Sequence, residues 1–179
     1  MRMKKLPILL VAILVLTSCN SKKSEYDPYA ISGGKAKREV SKSAFEIGFK
    51  QLENNLKTIH INLNGNNSYD AIFDTGCSTL LISYQEAIDM LKQQTLRAED
   101  ELPPVETEIA DGSKAMKRVF NLREVTVVDK NGQPHTLRDI AAVLEPNLEA
   151  DILVGSSVID NLAKKSYTVD LKKKVIRFE

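Results

Sequence analysis

The sequence predicts a mostly β domain with one longer helix in its first half and a short helix near its C-terminus. Short stretches alternate apolar and polar residues, turn signatures separate them, and one stretch places apolar residues at helical spacing. The chain has 179 residues, of which 42% are hydrophobic and 27% charged, which suits one globular domain with an appendage. The formal net charge is only +1. This balance argues against a nucleic-acid-binding protein, whose surface needs a clear excess of cations.

The first eighteen residues are typical of a secretion signal. Arg2, Lys4 and Lys5 precede an apolar run over residues 6–16, which is too short to span a bilayer of about 30 Å. The run ends in Leu-Thr-Ser-Cys19, which resembles the lipobox of bacterial lipoproteins. The resemblance implies removal of residues 1–18 and lipid attachment at Cys19; the alternative is an uncleaved N-terminal anchor. By the sorting rule of such lipoproteins, Asn20 favours the outer membrane of a two-membrane cell envelope.

Residues 19–43 are expected to form a lipid-anchored flexible tether, and residues 44–179 the folded domain. The tether is rich in Ser, Lys, Gly and Glu and shows no apolar periodicity. Once residues 1–18 are removed, 22 Lys and Arg remain against 24 Asp and Glu. The charge of the mature chain therefore predicts no nucleic-acid partner.

The domain begins with a predicted β-hairpin. Residues 59–63 alternate apolar and polar side chains, residues 64–67 read Asn-Gly-Asn-Asn, and extended character resumes over residues 69–73. A further strand is expected over residues 79–82.

A helix is predicted to start after Ser83 and to end near Leu96. Ser83 can cap the helix and Glu86 can complete a capping box. The expected buried face consists of Tyr84, Ala87, Ile88 and Leu91.

The second half alternates short β-type stretches with turns. Strands are expected over residues 106–109, 119–128, 140–144 and 151–155, a short helix over 156–162, and a hairpin over 166–178 with Lys172 and Lys173 at its tip.

The main candidate for chemistry is the sequence Phe73-Asp74-Thr75-Gly76-Cys77-Ser78. It places a carboxylate at the end of a strand, in a tight loop rich in hydroxyl groups. Gly76 lacks a Cβ at a point where backbone amides must approach that carboxylate. The triplet alone is a weak signal, because an Asp that caps a turn is common.

The context of Asp74 resembles the retropepsin-like aspartic proteases, especially the single-domain bacterial members. A hairpin precedes the triplet and an apolar run follows it. The turn Asp111-Gly112-Ser113 comes about 35 residues later, and Leu153-Val154-Gly155 follows near the end of the chain. The resemblance spans roughly residues 45–178 and implies the half-barrel fold of that family.

The resemblance also implies an aspartic endopeptidase that works as a homodimer on peptide or protein substrates without a metal or organic cofactor. Asp74 would be the catalytic carboxylate, and the two Asp74 side chains of the dimer would activate a water molecule between them. Thr75, Gly76 and Ser78 would support the active-site loop. Residues Asp111, Gly112 and Ser113 would form the tip of a flap over the substrate; as an alternative, that turn is an ordinary surface hairpin.

The resemblance further assigns Leu153, Val154 and Gly155 a structural role as a buttress beneath the active-site loop. Two positions depart from the family pattern. Cys77 stands where Ala is frequent, and we expect it to pack rather than to act as a redox group. Ser156 stands where the retroviral form has Arg.

Other enzyme classes fit the sequence less well. A serine hydrolase would need a nucleophile elbow that Ser156 and Ser157 lack. His60 and His135 are the two histidines of the chain and are expected to be surface or rim residues rather than ligands. The serious rival is a lipoprotein that uses the same fold to bind peptides without cleaving them, because a fold does not fix a function.

Overall fold

A computed structural model describes residues 38–39, 43–65, 67–108 and 112–179. The predicted signal sequence with its lipidation site Cys19, most of the predicted tether and the turn residue Asp111 lie outside these residues. No helix among the described residues has the length and apolar character needed to cross a membrane.

The larger of two sheets closes on itself. Its strands are β1 (Arg38–Glu39), β3 (Lys50–Gln51), β4 (Lys57–Leu63), β5 (Asn67–Phe73), β6 (Leu80–Ser83), β7 (Glu101–Glu108), β8 (Lys114–Val128), β9 (Pro134–Glu145) and β10 (Leu153–Val154). They follow the order β1-β9-β6-β10-β5-β4-β8-β7, and β3 pairs with β4. Because β8 also pairs with β9, the six strands from β9 to β8 form a ring. The mostly β fold predicted from the sequence is confirmed.

A second sheet of three strands packs against this barrel. It contains β2 (Phe45–Gly48), β11 (Tyr167–Asp170) and β12 (Val175–Phe178), in the order β11-β12-β2. The β11–β12 hairpin is the predicted C-terminal hairpin. Phe45 and Phe178 of this sheet join the main core, so the second sheet closes one side of the barrel.

Helix α1 (Tyr84–Lys92) begins with the predicted capping box. The Ser83 side chain accepts from the backbone N–H groups of Gln85 and Glu86, and the Glu86 carboxylate accepts from the Ser83 N–H at 2.8 Å. The predicted end near Leu96 is wrong, because the chain leaves the helix at Gln93 and Gln94 adopts a left-handed conformation with φ of 57°.

The predicted buried face of α1 is wrong in part. Ala87 and Met90 are buried, but Ile88 and Leu91 are 38% and 40% exposed. The barrel contacts a narrower stripe of the helix than the apolar spacing predicted.

Strand β7 begins earlier than predicted and contains Pro103 and Pro104. Its pairing with β8 shifts register between Leu102 and Val105, which places both prolines in a bulge. The prolines are tolerated there because β7 is an edge strand of the sheet. The N–H groups that Pro103 and Pro104 lack are therefore not missing from a central ladder of the sheet.

The main core fills the barrel and is made almost entirely of apolar side chains. It includes Ile61, Leu80, Ile82, Phe120 and Val154, which come from four different strands. Helix α2 (Ser156–Leu162), the predicted short helix, adds three side chains to it: Val158, Ile159 and Leu162.

Candidate active site

Asp74 lies at the end of β5, where two neighbouring strands hold the chain. Strand β5 pairs with β4 on one side and runs parallel to β10 on the other. The Asp74 N–H donates to the carbonyl oxygen of Val154 at 3.1 Å, which extends the ladder by one residue beyond the strand. The half-buried Asp74 side chain therefore projects from a fixed backbone.

The loop after Asp74 folds back onto its carboxylate. The Gly76 N–H donates to Asp74 Oδ1 at 2.8 Å, and the Cys77 N–H donates to the Asp74 carbonyl oxygen at 3.3 Å. A Cβ on Gly76 would lie 3.2 Å from Asp74 Oδ1. Glycine thus lets the amide reach the carboxylate without crowding it.

The predicted buttress contacts the loop directly. Following Gly155, the N–H groups of Ser156 and Ser157 donate to the carbonyl oxygens of Cys77 and Ser78 at 2.8 and 3.0 Å. These two bonds tie the start of α2 to the loop. The loop is thus held at both ends, by β10 at Asp74 and by α2 at Ser78.

The hydroxyl groups of the loop do not reach the carboxylate within the chain. Thr75 and Ser78 are exposed, and the described residues show no hydrogen bond from either hydroxyl to Asp74. Cys77 is half-buried, and its Sγ donates to the carbonyl oxygen of Thr79 at 3.3 Å. The thiol therefore packs into the loop, whereas Thr75 and Ser78 are available to other molecules.

The long hairpin of β7 and β8 carries the predicted flap residues. Gly112 and Ser113 are exposed just before β8, and Gly112 has a φ of 82°, which glycine adopts without strain. The third flap residue, Asp111, lies outside the described part of the chain. At the base of the hairpin Arg118 donates to both carboxylate oxygens of Glu101 at 2.8 and 2.9 Å, and these hydrogen bonds lower the pKa of Glu101.

A row of apolar side chains crosses the face of the sheet that carries Asp74. Its members are successive cross-strand partners from β5 to β7, namely Ile72, Leu153, Leu81, Val143, Val119 and Leu102. Their sequence neighbours, such as Leu80, point into the main core, so the row lies on the opposite face. The part of the row in β8 and β9 is buried, whereas Leu81 and Leu153 are half-buried. These two leucines offer an apolar surface beside the strand end that carries Asp74.

Sequence reasoning missed this second apolar face. Leu153 was expected only as part of a structural buttress, and Leu81 only as part of a strand. The unbroken apolar run Leu80-Leu81-Ile82 was the available signal, because a strand with only one apolar face would alternate with polar residues.

His60 is exposed as expected, but the expectation for His135 is wrong. His135 lies in β9, only 1% exposed, with its ring stacked on Phe45 at a centroid distance of 3.6 Å. Its Nε2 lies 3.2 Å from Asp129 Oδ2. The Asp129 pKa is lowered chiefly by the N–H of Gln133 and further by His135 and the N–H of Asn131. The His135–Asp129 pair is therefore a buried structural contact.

In the described ranges, no group of three or more His, Cys, Asp or Glu side chains is arranged to hold a metal ion.

Comparison with known proteins agrees with this geometry. Residues 59–158, more than half of the chain, match a family model described as aspartyl protease. The fold matches the crystal structure of a retropepsin-like aspartic protease from Rickettsia conorii with a TM-score of 0.50 and 15% sequence identity. That match covers 81% of this chain and 96% of the other. No curated protein sequence is significantly similar to the chain.

Proposed function

Because this chain belongs to the aspartyl protease family, we propose that it is an endopeptidase whose active form is a homodimer with one Asp74 from each copy. The observation that carries the proposal is the Asp74 loop. Its carboxylate accepts from the Gly76 N–H, its backbone is held by β10 and α2, and its outer surface is open.

The need for a second copy follows from the chemistry of amide hydrolysis. One carboxylate must accept a proton from the attacking water while another acid donates a proton to the carbonyl oxygen of the substrate. Two carboxyl groups about 3 Å apart share one proton and so supply both roles. The sequence contains a single Asp-Thr-Gly triplet, so the second carboxylate would come from another copy.

In such a dimer the exposed loop residues would face the partner. The hydroxyl of Thr75 is free to hydrogen-bond across the two-fold axis, and Ser78 can support the outer carboxylate oxygen once the pair has formed. Both roles agree with the exposure of these side chains and with the absence of a bond to Asp74 in the described part of one chain.

The substrate would lie extended between the Asp74 loop and the β7–β8 hairpin. Strand β7 is an edge strand, so its outer backbone groups can pair with an added strand of peptide. The half-buried Leu81 and Leu153 would contact side chains near the bond that is cut. We therefore propose a preference for apolar residues at those positions of the substrate.

The direct test uses the chain from Ser21 onward, incubated with a peptide mixture whose ends are blocked, between about pH 4 and pH 8. Mass spectrometry identifies each cut. We expect internal cleavage by the wild-type protein and none by Asp74→Asn. The matched control is Asp70→Asn, which alters an exposed carboxylate on the same strand and should leave every cut in place.

Two outcomes would reject the proposal. Absence of cleavage by the wild-type protein, at concentrations where sedimentation shows a dimer, would favour a peptide-binding module. Equal cleavage by the wild-type protein and Asp74→Asn would mean that another group is responsible for the chemistry.

The dimer is tested by mixing subunits. With the wild-type concentration fixed, an excess of Asp74→Asn should suppress cleavage, because most wild-type chains would then be in mixed dimers with only one ionisable Asp74. If an excess of Asp74→Asn leaves the cleavage rate unchanged, one wild-type chain is sufficient for catalysis and the dimer proposal is wrong.

We also propose that Cys19 anchors the protein to the bacterial cell envelope, with the outer membrane favoured by Asn20. The proposal rests on the cationic flank, the short apolar run and the residues before Cys19. In a bacterial host, Cys19→Ser should move the protein from the membrane fraction to the soluble fraction. Ser18→Ala, which keeps a small residue before the cysteine, should leave it in the membrane fraction.

A further inference from the structure

The β7–β8 hairpin leaves the barrel at a defined level of β8. From Val119 onward β8 pairs with β9, beginning with the Val119–Val143 pair. Between Lys114 and Lys117, β8 pairs with β7 alone. The hairpin is therefore a two-stranded extension of the barrel. Its orientation depends on the contacts that Lys117 and Arg118 make at its base.

At this level the backbone ladder between β7 and β8 is interrupted, and the Arg118–Glu101 ion pair joins the two strands beside the gap. The bulge with Pro103 and Pro104 lies between the Leu102–Val119 pair and the Val105–Lys117 pair. The two prolines have no N–H to donate, so the ladder is interrupted where the hairpin begins. A two-stranded ribbon with an interrupted ladder bends easily unless other contacts restrain it.

An ion pair at the same level ties β8 back to the barrel. Lys117 Nζ lies 2.9 Å from Oε2 of Glu145, the last residue of β9. The Lys117 side chain is 16% exposed and that of Glu145 is 31% exposed. By contrast, the lysines of the Lys50–Asp70 and Lys114–Glu106 pairs are 76% and 56% exposed. Because both side chains are less exposed, solvent and salt screen the attraction between Lys117 and Glu145 less than they screen the surface pairs.

The Glu145 end of this contact belongs to the frame that holds the Asp74 loop. Glu145 is the register partner of Ser83 in β6. Strand β6 pairs with β10, and Val154 of β10 accepts from the Asp74 N–H. An ion pair to Glu145 therefore fixes the base of the hairpin relative to the strands that position Asp74.

We propose that Lys117 and Glu145 are positioning residues that hold the β7–β8 hairpin at its working angle and so set the affinity for peptide substrate. This rests on the proposed protease function. Neither residue takes part in the chemical step. Loss of the pair should weaken substrate binding in the groove and leave the rate of the bound complex nearly unchanged.

The kinetic test compares Lys117→Met, Glu145→Gln and the double variant, using the full chain in detergent and one peptide that the wild-type enzyme cleaves. We expect each single variant to raise KM about threefold to fivefold, with kcat changed by less than about twofold. The double variant should be no worse than either single variant, because both remove the same interaction. Lys50→Met, which breaks an exposed pair with the same 2.9 Å distance, should change neither constant.

A second measurement does not depend on catalysis. Hydrogen exchange followed by mass spectrometry should show faster exchange in peptides from residues 101–108 and 112–118 in Lys117→Met, with unchanged exchange in the β4–β5 hairpin. Unchanged exchange in the hairpin together with an unchanged KM would overturn the proposal. Faster exchange in β4–β5 as well would mean general destabilisation and would also reject a local positioning role.

The two measurements separate this proposal from the proposed function. If the wild-type chain cleaves no peptide, the protease proposal fails, whereas the exchange result still decides whether the ion pair restrains the hairpin. If cleavage is normal and the pair has no effect, only the positioning proposal fails.

Discussion

A Cβ built on Gly155 would lie 2.2 Å from the carbonyl oxygen of Thr79 and 2.4 Å from that of Cys77. Both neighbours are backbone atoms of the loop that follows Asp74, so they cannot move aside as a flexible side chain could. The chain leaving β10 and the active-site loop are therefore in contact through main chain, and only glycine permits it.

We expect Gly155→Ala to lower the free energy of unfolding by about 3 kcal/mol, because the loop and the start of α2 must separate to admit the methyl group. Urea denaturation measures the change. Gly48→Ala is the matched control, since a Cβ at Gly48 would meet no atom within 4 Å. Equal stability of the two variants would show that the close approach is not maintained in solution.

Gly76→Ala should impair catalysis more than stability. The added Cβ would lie 3.2 Å from Asp74 Oδ1, so the carboxylate must shift by a few tenths of an ångström. Because small displacements of a reacting group are costly, we expect kcat to fall about tenfold. Since Gly76 is exposed, the thermal midpoint of Gly76→Ala should stay close to that of the wild type. If the kcat of Gly76→Ala equals that of the wild type, catalysis tolerates this shift of the Asp74 carboxylate.

Ser83→Ala should destabilise the domain by about 1 kcal/mol, because the N-terminal amides of α1 lose their capping acceptor. Denaturant titration would detect this change. Ser68→Ala, at an exposed position of β5, is the control and should cost less. The prediction fails if the two variants are equally stable.

The contribution of Asp129 to stability should depend on pH. Hydrogen bonds from the Gln133 N–H, from His135 and from the Asn131 N–H lower the Asp129 pKa below its ordinary value of 3.8. A carboxylate whose pKa is lower in the folded state stabilises that state above the ordinary pKa, and the contribution is lost as pH falls through the lowered pKa. The stability advantage of the wild-type protein over Asp129→Asn should therefore be present at neutral pH and shrink below pH 3.8.

Thermal melts from neutral pH down to about pH 2.5 would measure this difference. The exposed carboxylate of Glu149 provides the control, and Glu149→Gln should follow the wild-type curve throughout. A wild-type advantage that stays constant down to the lowest pH would contradict the assignment to the Asp129 carboxylate.

The sequence by itself determined the features that depend on neighbours along the chain. The β4–β5 hairpin follows from alternation around an Asn-Gly turn, and the start of α1 follows from Ser83 and Glu86. The position of Asp74 at a strand end was predictable for the same reason. Local hydrogen bonds and the period of apolar residues are sufficient to encode these features.

Only the tertiary structure decided the features that depend on the register of distant strands. Lys117 and Glu145 are 28 positions apart in the chain, and their 2.9 Å contact exists because the β8–β9 ladder, which begins at the Val119–Val143 pair, brings the two residues together. The burial of His135 beside Phe45 requires the second sheet to pack on the barrel. Pro103 and Pro104 can lie in a strand because β7 has an unpaired edge. Such contacts are set by strand order and register, and a residue type carries no information on which distant strand will lie beside it.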